Sequence, residues 1–166
     1  MAKPPRTQAT RALDAHNIAY TVHLFPDTIR DAVEVAAQIG FPPAQVFKTL
    51  VVVQEAPPNA RPLLVMMPAD TALDLRRFAK AIGSKSVRMA SHEQAEHLTG
   101  LKVGGISALA LLNRPFVVFI DASALTFESI CVSGGQGGMD LHMRVADLLS
   151  LTAAQPVEAA QPKGGA

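Results

Sequence analysis

The sequence predicts a mixed α/β domain, with helices surrounding a sheet that curls partly toward a barrel. Two observations carry this. Apolar stretches with a two-residue period alternate along the chain with helix-length stretches bracketed by cap and stop residues. Pro- and Gly-containing turns separate them. With 166 residues and 49% hydrophobic residues spread along its length, the chain fits one domain with a core of its own.

The elements follow in order. Residues 6–16 read as a helix, with Ala12, Leu13 and His16 near one face. Residues 20–25 alternate as a strand, with Tyr20, Val22 and Leu24 facing one way. A helix over 31–39 is stopped by Gly40 and by Pro42-Pro43. Residues 46–53 form a strongly apolar strand, 56–60 a turn, and 63–67 the returning strand. Asp74 caps a helix over 75–82 that Gly83 closes. Ser91 and Gln94 form a capping-box pattern for a helix ending near Leu98, with Gly100 beyond it. Pro115 introduces a strand over 116–121, and 129–133 is another. A loop carrying four glycines over 134–138 leads to a strand over 139–143, and a helix over 145–151 closes the domain. The domain is thus predicted to span 1–152. Residues 153–166, rich in Ala, Gln, Pro and Gly with little to bury, read as a disordered tail outside the fold.

Composition narrows the function classes. No apolar run approaches a bilayer-spanning length, and the first residues lack the apolar stretch of a secretory signal. The expectation is a soluble, cytoplasmic protein without a membrane role. The single cysteine, Cys131, excludes an internal disulfide and a cysteine-built zinc site. A net charge of +1 is a weak footprint for gripping a long stretch of nucleic acid. If RNA is the substrate, the protein touches a short end of it or relies on a partner. With no Trp and one Tyr, a broad base-stacking platform is not expected.

Lys48 is the most informative residue. Alternation places Val46, Lys48, Leu50 and Val52 on one face of their strand and Phe47, Thr49, Val51 and Val53 on the other. Both faces are apolar, so Lys48 is at least partly buried whichever face meets the core. A buried ammonium needs an acidic partner, a bound anion or an exit to a cleft. The structural alternative is a lysine that snorkels at the strand end. Gly104-Gly105-Ile106-Ser107 permits close approach of a ligand to backbone amides, or is an ordinary turn. Ser133-Gly134-Gly135-Gln136-Gly137-Gly138 can bind a phosphate or carbonyl oxygen through backbone donors, or is a flexible hairpin loop; it matches neither a Walker loop nor a dinucleotide fingerprint. Asp140 follows that loop as a candidate partner for Lys48 or acceptor for a substrate amine, against the alternative of a surface aspartate.

Other signals fail. His92 and His97 are five residues apart, so they do not share a helix face as zincin ligands. Cys131 lies in a strand as a small buried hydrophobe. His23 reads as a structural histidine, and no Ser-His-Asp set has a nucleophile elbow.

Four segments in register resemble the YbaK/EbsC family of aminoacyl-tRNA deacylases, over residues 11–151: Val46-Phe47-Lys48-Thr49-Leu50; Leu73-Asp74-Leu75 with the helix behind it; Val103-Gly104-Gly105-Ile106-Ser107; and Val132-Ser133-Gly134-Gly135 through Asp140. The resemblance implies the fold of the editing domain of prolyl-tRNA synthetase. It also implies cleavage of the ester between an amino acid and the tRNA 3′ end, typically on Cys-tRNA(Pro), with no metal or cofactor. It carries catalytic roles onto Lys48, Gly104 and Asp140, and substrate binding onto Phe25, Thr49, Gly105, Ser107, Ser133, Gly134 and Gly135. The aminoacyl-tRNA 3′ end and prolyl-tRNA synthetase are the implied partners. The chain departs from the pattern at Ala108, where related domains often carry Pro, and over 26–31, where a stretch carrying pocket residues is replaced. Two functions from different classes follow. One is an editing enzyme that positions an activated ester and stabilises its oxyanion. The other is a non-catalytic module that binds a tRNA end or nucleotide beside a synthetase. A hydrolase of unrelated esters ranks last, for lack of a nucleophile.

Overall fold

In the computed structural model, which describes residues 3–163, the centre of the fold is β3 (Leu63–Pro68), a strand buried at every residue. Its unbroken apolar run suits a strand covered on both faces. It pairs antiparallel with β2 (Phe47–Gln54), setting Lys48 opposite Met67 and Leu50 opposite Val65. On its other edge it runs parallel to β6 (Val117–Asp121). β5 (Val87–Met89) extends the sheet beyond β2, and β9 (Gln155–Val157) extends it beyond β6. The strand order is β5-β2-β3-β6-β9.

Period-two alternation divides the apolar residues between two cores. Phe47, Val51, Leu64, Met66 and Ile120 face the inner side of a second, antiparallel sheet. That sheet has the order β1 (Tyr20–Leu24), β8 (Met139–Arg144), β7 (Ser129–Ser133) and contributes Ile130, Val132, Leu141 and Met143 to the shared core. Val52, Leu63, Val65, Met67 and Phe119 face the other way and are covered by α3 (Leu75–Ile82). There the Phe78 ring stands edge-on to Phe119 at 5.3 Å. The predicted mixed α/β class holds, but the curl toward a barrel does not. Among the described residues a single bridge, Val46 to Cys131, joins the two sheets, and the larger one ends in the three-residue edges β5 and β9. Such edges are too short to carry the ladder round to the other sheet.

Capping residues mark the helices. Asp74 accepts from the Arg77 amide at 3.1 Å to start α3, and Gly83 ends it. Asp31 accepts from the Glu34 amide at the start of α2 (Ala32–Ile39). Ser91 caps α4 (His92–Thr99), but Gln94 does not complete the reciprocal box. Its side-chain oxygen instead accepts from Arg88 at 3.0 Å. A reciprocal box does form between Thr7 and Thr10 at the start of α1 (Gln8–Ala15), which buries Ala9 and Leu13. α5 (Val145–Thr152) follows β8 directly.

The predicted tail over 153–166 is corrected for 153–163; the rest lies outside the described residues. β9 joins the sheet parallel to β6, and β10 (Ala160–Pro162) pairs antiparallel with β4 (Thr71–Leu73). The segment carries little apolar area, but Val157 and Ala159 insert it into the core against Phe78 and Phe119. Small residues suffice because the backbone ladder supplies the other half of the anchoring. Ending the chain after Thr152 is expected to lower stability by about 2–4 kcal/mol, read as a shift in the urea midpoint. An unchanged midpoint would contradict the docking of this segment.

Candidate active site

The side of the small sheet away from the shared core carries Thr21, His23, Cys131, Ser133, Asp140 and His142 by alternation. α2 lies across this side through Ala36, with Cys131 and Val46 beneath it. Where α2, the start of β2 and the 103–106 turn meet, a cavity of about 270 Å³ opens. Lys48, Thr49, Gly104, Ser133, Asp140 and Phe25 all line it. Residues from five separate stretches of sequence therefore share one concavity.

Lys48 is half-buried. Its ammonium donates to the Thr71 carbonyl at 2.5 Å and to the Ala69 carbonyl at 3.4 Å. Ala69 lies in the turn between β3 and β4 and Thr71 opens β4; the turn is held by the Ala69 amide on the Val46 carbonyl at 2.7 Å and by the Thr71 hydroxyl on the Pro68 carbonyl. Burial lowers the lysine pKa, and the charge of Lys163 lowers it further; Asp31 and Asp70 oppose the shift. Asp140, one candidate partner for Lys48, does not fill that role: backbone carbonyls, not that carboxylate, hold the ammonium.

Asp140 is 8% exposed, and among the described residues no group donates a hydrogen bond to its carboxylate. Burial alone pushes its pKa up to about 7. The group is thus poised between a neutral acid and a carboxylate near neutral pH. Neighbouring Cys131 is fully buried, and its thiol is pushed up to about 12 by burial and by the Asp140 charge. It stays a protonated core residue, as its strand position suggests.

The two glycine segments form one unit. Gly105 lies so close to the second loop that a Cβ would meet the Gln136 Cα at 2.6 Å and the Gly137 nitrogen at 2.9 Å. Only glycine fits between these backbones. Gly104, with φ of +98°, faces the cavity. Its amide and that of Ile106 have no hydrogen-bond partner among the described residues, whereas the Gly105 amide donates to the Lys102 carbonyl. Two unused donors on one turn can receive a developing negative oxygen.

Four candidates stand outside the cavity lining. Ser107 is buried, and its hydroxyl accepts from the Ala110 amide at 3.4 Å beside a short 3-10 helix. Gly105 packs behind the turn. The Gly134 amide donates to the Met139 carbonyl, and the Gly135 amide to the Ser133 hydroxyl at 3.2 Å. The Gly134 and Gly135 amides are thus spent on the shape of that loop, and neither residue lines the cavity. Ala108 is also buried in the core and away from the cavity. The lining contains, in addition, residues that sequence reasoning missed as site residues: Arg30, Asp31 and Lys163. Asp31 is read in the sequence as the first residue of a helix and in the structure caps α2, and Lys163 sits in the segment taken for a tail. Thr49 adds a hydroxyl that is buried without a partner and borders the cavity.

No His or Cys is among the lining residues. The ring cluster of His23, Phe41 and His142, with the Ser129 hydroxyl 2.7 Å from His142 Nε2, lies outside it. The cavity therefore offers a cation, unused backbone donors, a tunable carboxyl and small hydroxyls. These suit orienting a substrate and stabilising charge on it, rather than attacking it.

Comparison with known proteins agrees. The profile of the aminoacyl-tRNA editing domain matches residues 26–151. The chain is 31% identical over 155 residues to EbsC of Enterococcus faecalis, a protein assigned as a Cys-tRNA(Pro)/Cys-tRNA(Cys) deacylase, with 92% of each chain covered. It is 30% identical over 115 residues to proline–tRNA ligase of Acidithiobacillus ferrooxidans, covering 69% of this chain and 19% of that one. A solved structure assigned as a trans-editing enzyme for prolyl tRNA synthetase superposes with a TM-score of 0.78 at 26% identity, over 95% of this chain and 99% of the other. Matching sequence over most of its length, with Lys48, Gly104 and Asp140 lining one cavity, the chain belongs to the aminoacyl-tRNA editing domain family.

Proposed function

We propose that this chain is an aminoacyl-tRNA deacylase that acts in trans, releasing a mischarged amino acid from the tRNA 3′ end, with cysteine on tRNA(Pro) as its substrate. The observation that carries this reading is the convergence of Lys48, Gly104 and Asp140 on one cavity of about 270 Å³. That volume is at or below the small end of ligand pockets, about 300–1,000 Å³, which favours a small aminoacyl group. The relationship to EbsC, over 92% of both chains, supports the choice of substrate.

In this reading the terminal ribose and the ester enter between Lys48 and the 103–106 turn. Lys48 orients the nucleotide or the ester carbonyl. The amides of Gly104 and Ile106 receive the oxyanion that forms as the carbonyl carbon is attacked. The ester C–O bond then breaks, and the ribose oxygen leaves with the proton that the attacking group gives up. No histidine lines the cavity to activate the Thr49 and Ser133 hydroxyls, so the attacking group is a water or the thiol of the cysteinyl substrate itself. Asp140 accepts from the substrate amine when ionised. The chain's net charge of +1 gives a weak grip on tRNA, so affinity for the rest of the molecule comes from a partner, and prolyl-tRNA synthetase is the candidate.

Two outcomes test these roles. Lys48→Ala is expected to cut release of cysteine from Cys-tRNA(Pro) at least about 100-fold, a loss typical of removing one such stabilising contact, with an unchanged circular-dichroism spectrum. Release at the wild-type rate would remove Lys48 from the mechanism. The second concerns Asp140, whose folded pKa is raised. The protonated form is favoured in the folded state, so stability is fully present below the unfolded carboxyl pKa and is lost as pH rises through about 7. Asp140→Asn lacks this loss. Its unfolding free energy is expected to gain on wild type by more than about 1 kcal/mol between pH 4 and pH 8, measured by denaturant melts. Parallel pH profiles would contradict the raised pKa.

A further inference from the structure

The C-terminal strand delivers a second ammonium to the cavity. β10 pairs with β4 in the register Ala160 to Leu73, Gln161 to Ala72 and Pro162 to Thr71. The chain therefore leaves β10 beside Thr71, whose carbonyl holds Lys48, and the Lys163 amide donates to the Asp70 carbonyl at 3.4 Å. Lys163 lines the cavity, and its ammonium lies 2.5 Å from Asp31 Oδ1. Arg30 borders the same space, with its Cγ 3.6 Å from the point where a Cβ on Gly104 would stand. Three cations, Arg30, Lys48 and Lys163, thus border one cavity of a chain whose net charge is only +1. Asp31 offsets one of them.

The Asp31–Lys163 pair is a weak tie. Each side chain is 42% exposed, and pairs in such solvent-screened positions contribute little to folding. An anion with more charge and more acceptor oxygens than a carboxylate can displace Asp31. It would also relieve the repulsion between Lys163 and Lys48. A phosphate next to a ligand seated in the cavity meets both conditions.

We infer that Lys163 is a phosphate-binding residue of this cavity, exchanging Asp31 for the phosphate 5′ to the substrate's terminal adenosine, with Asp31 as the resident competitor. The inference rests on reading the cavity as the seat of a tRNA end.

The test is equilibrium binding of adenosine 5′-monophosphate and of adenosine to the full chain, as wild type, Lys163→Ala, Lys163→Arg and Asp31→Asn. Wild type is expected to prefer the monophosphate by about tenfold, as one charge-assisted contact provides. Lys163→Ala is expected to lower that preference at least about threefold, and Lys163→Arg to retain it. Asp31→Asn is expected to raise it, because Asn still caps α2 but no longer competes for the ammonium. Opposite signs for Lys163→Ala and Asp31→Asn separate ligand binding from a purely structural strap, whose loss from either side would act in the same direction. The same preference in wild type and Lys163→Ala, a fall in Asp31→Asn, or no binding of the monophosphate by wild type would overturn the inference. None of these readouts needs ester cleavage. A chain that binds phosphate through Lys163 but releases no amino acid would overturn the deacylase reading alone. Lys48-dependent release with a phosphate preference indifferent to Lys163 would overturn this inference alone.

Discussion

The ammonium of Lys48 is half withdrawn from water and solvated by two backbone carbonyls, those of Thr71 and Ala69. An ammonium in that position needs fixed acceptors, because burial disfavours its charge. Carbonyls satisfy its donors without neutralising it, so positive charge remains for a ligand. The acceptors are fixed by the tight turn between β3 and β4, and β4 is fixed by β10. The last strand of the chain thus bears on the geometry of a residue more than a hundred positions earlier. This constraint explains why a segment of small residues is built into the fold at all.

A second constraint acts from the opposite wall. The 103–106 turn and the glycine loop touch backbone to backbone at Gly105, at distances that leave no room for a side chain. One turn can then present unused amides at Gly104 and Ile106 while the loop behind it spends the Gly134 and Gly135 amides on holding its shape. Asp140 stands at the end of that loop, buried and without a compensating hydrogen bond among the described residues, which keeps its ionisation near neutral pH. The cavity thus sets a retained cation against unused donors and a carboxyl that is costly to ionise. That arrangement suits a reaction in which negative charge develops on one oxygen.

Much of this was legible in the residues. The alternation around Lys48 forced partial burial on either face, and the cap residues Asp74, Ser91 and the terminating glycines placed three helices. The glycine pairs marked a close approach, although not that they approach each other; that contact joins stretches some thirty residues apart and leaves no trace in local pattern. Asp140 was singled out, but its candidacy as the partner of Lys48, one of two roles open to it, came from complementary charge alone, and backbone carbonyls, invisible to such reasoning, took that place. Ser107, Gly134 and Gly135 carry the motif yet serve the backbone. The short strands β4, β5, β9 and β10 have three residues each, too few to show a period. Lys163 was missed for the same reason: its segment is held by ladder hydrogen bonds and two small apolar contacts, which composition does not reveal.

In the proposed complex a 3′-aminoacyl-adenosine sits between Lys48, the 103–106 turn and Asp140. The most direct measurement is a crystal structure with a non-hydrolysable 3′-aminoacylamino-adenosine. The acyl carbonyl oxygen is expected within hydrogen-bonding distance of the Gly104 or Ile106 amide, with Lys48 on the ribose or carbonyl and the amino group toward Asp140. A ligand seated elsewhere, such as over the His142–Ser129 pair, or one whose carbonyl points away from that turn, would contradict it.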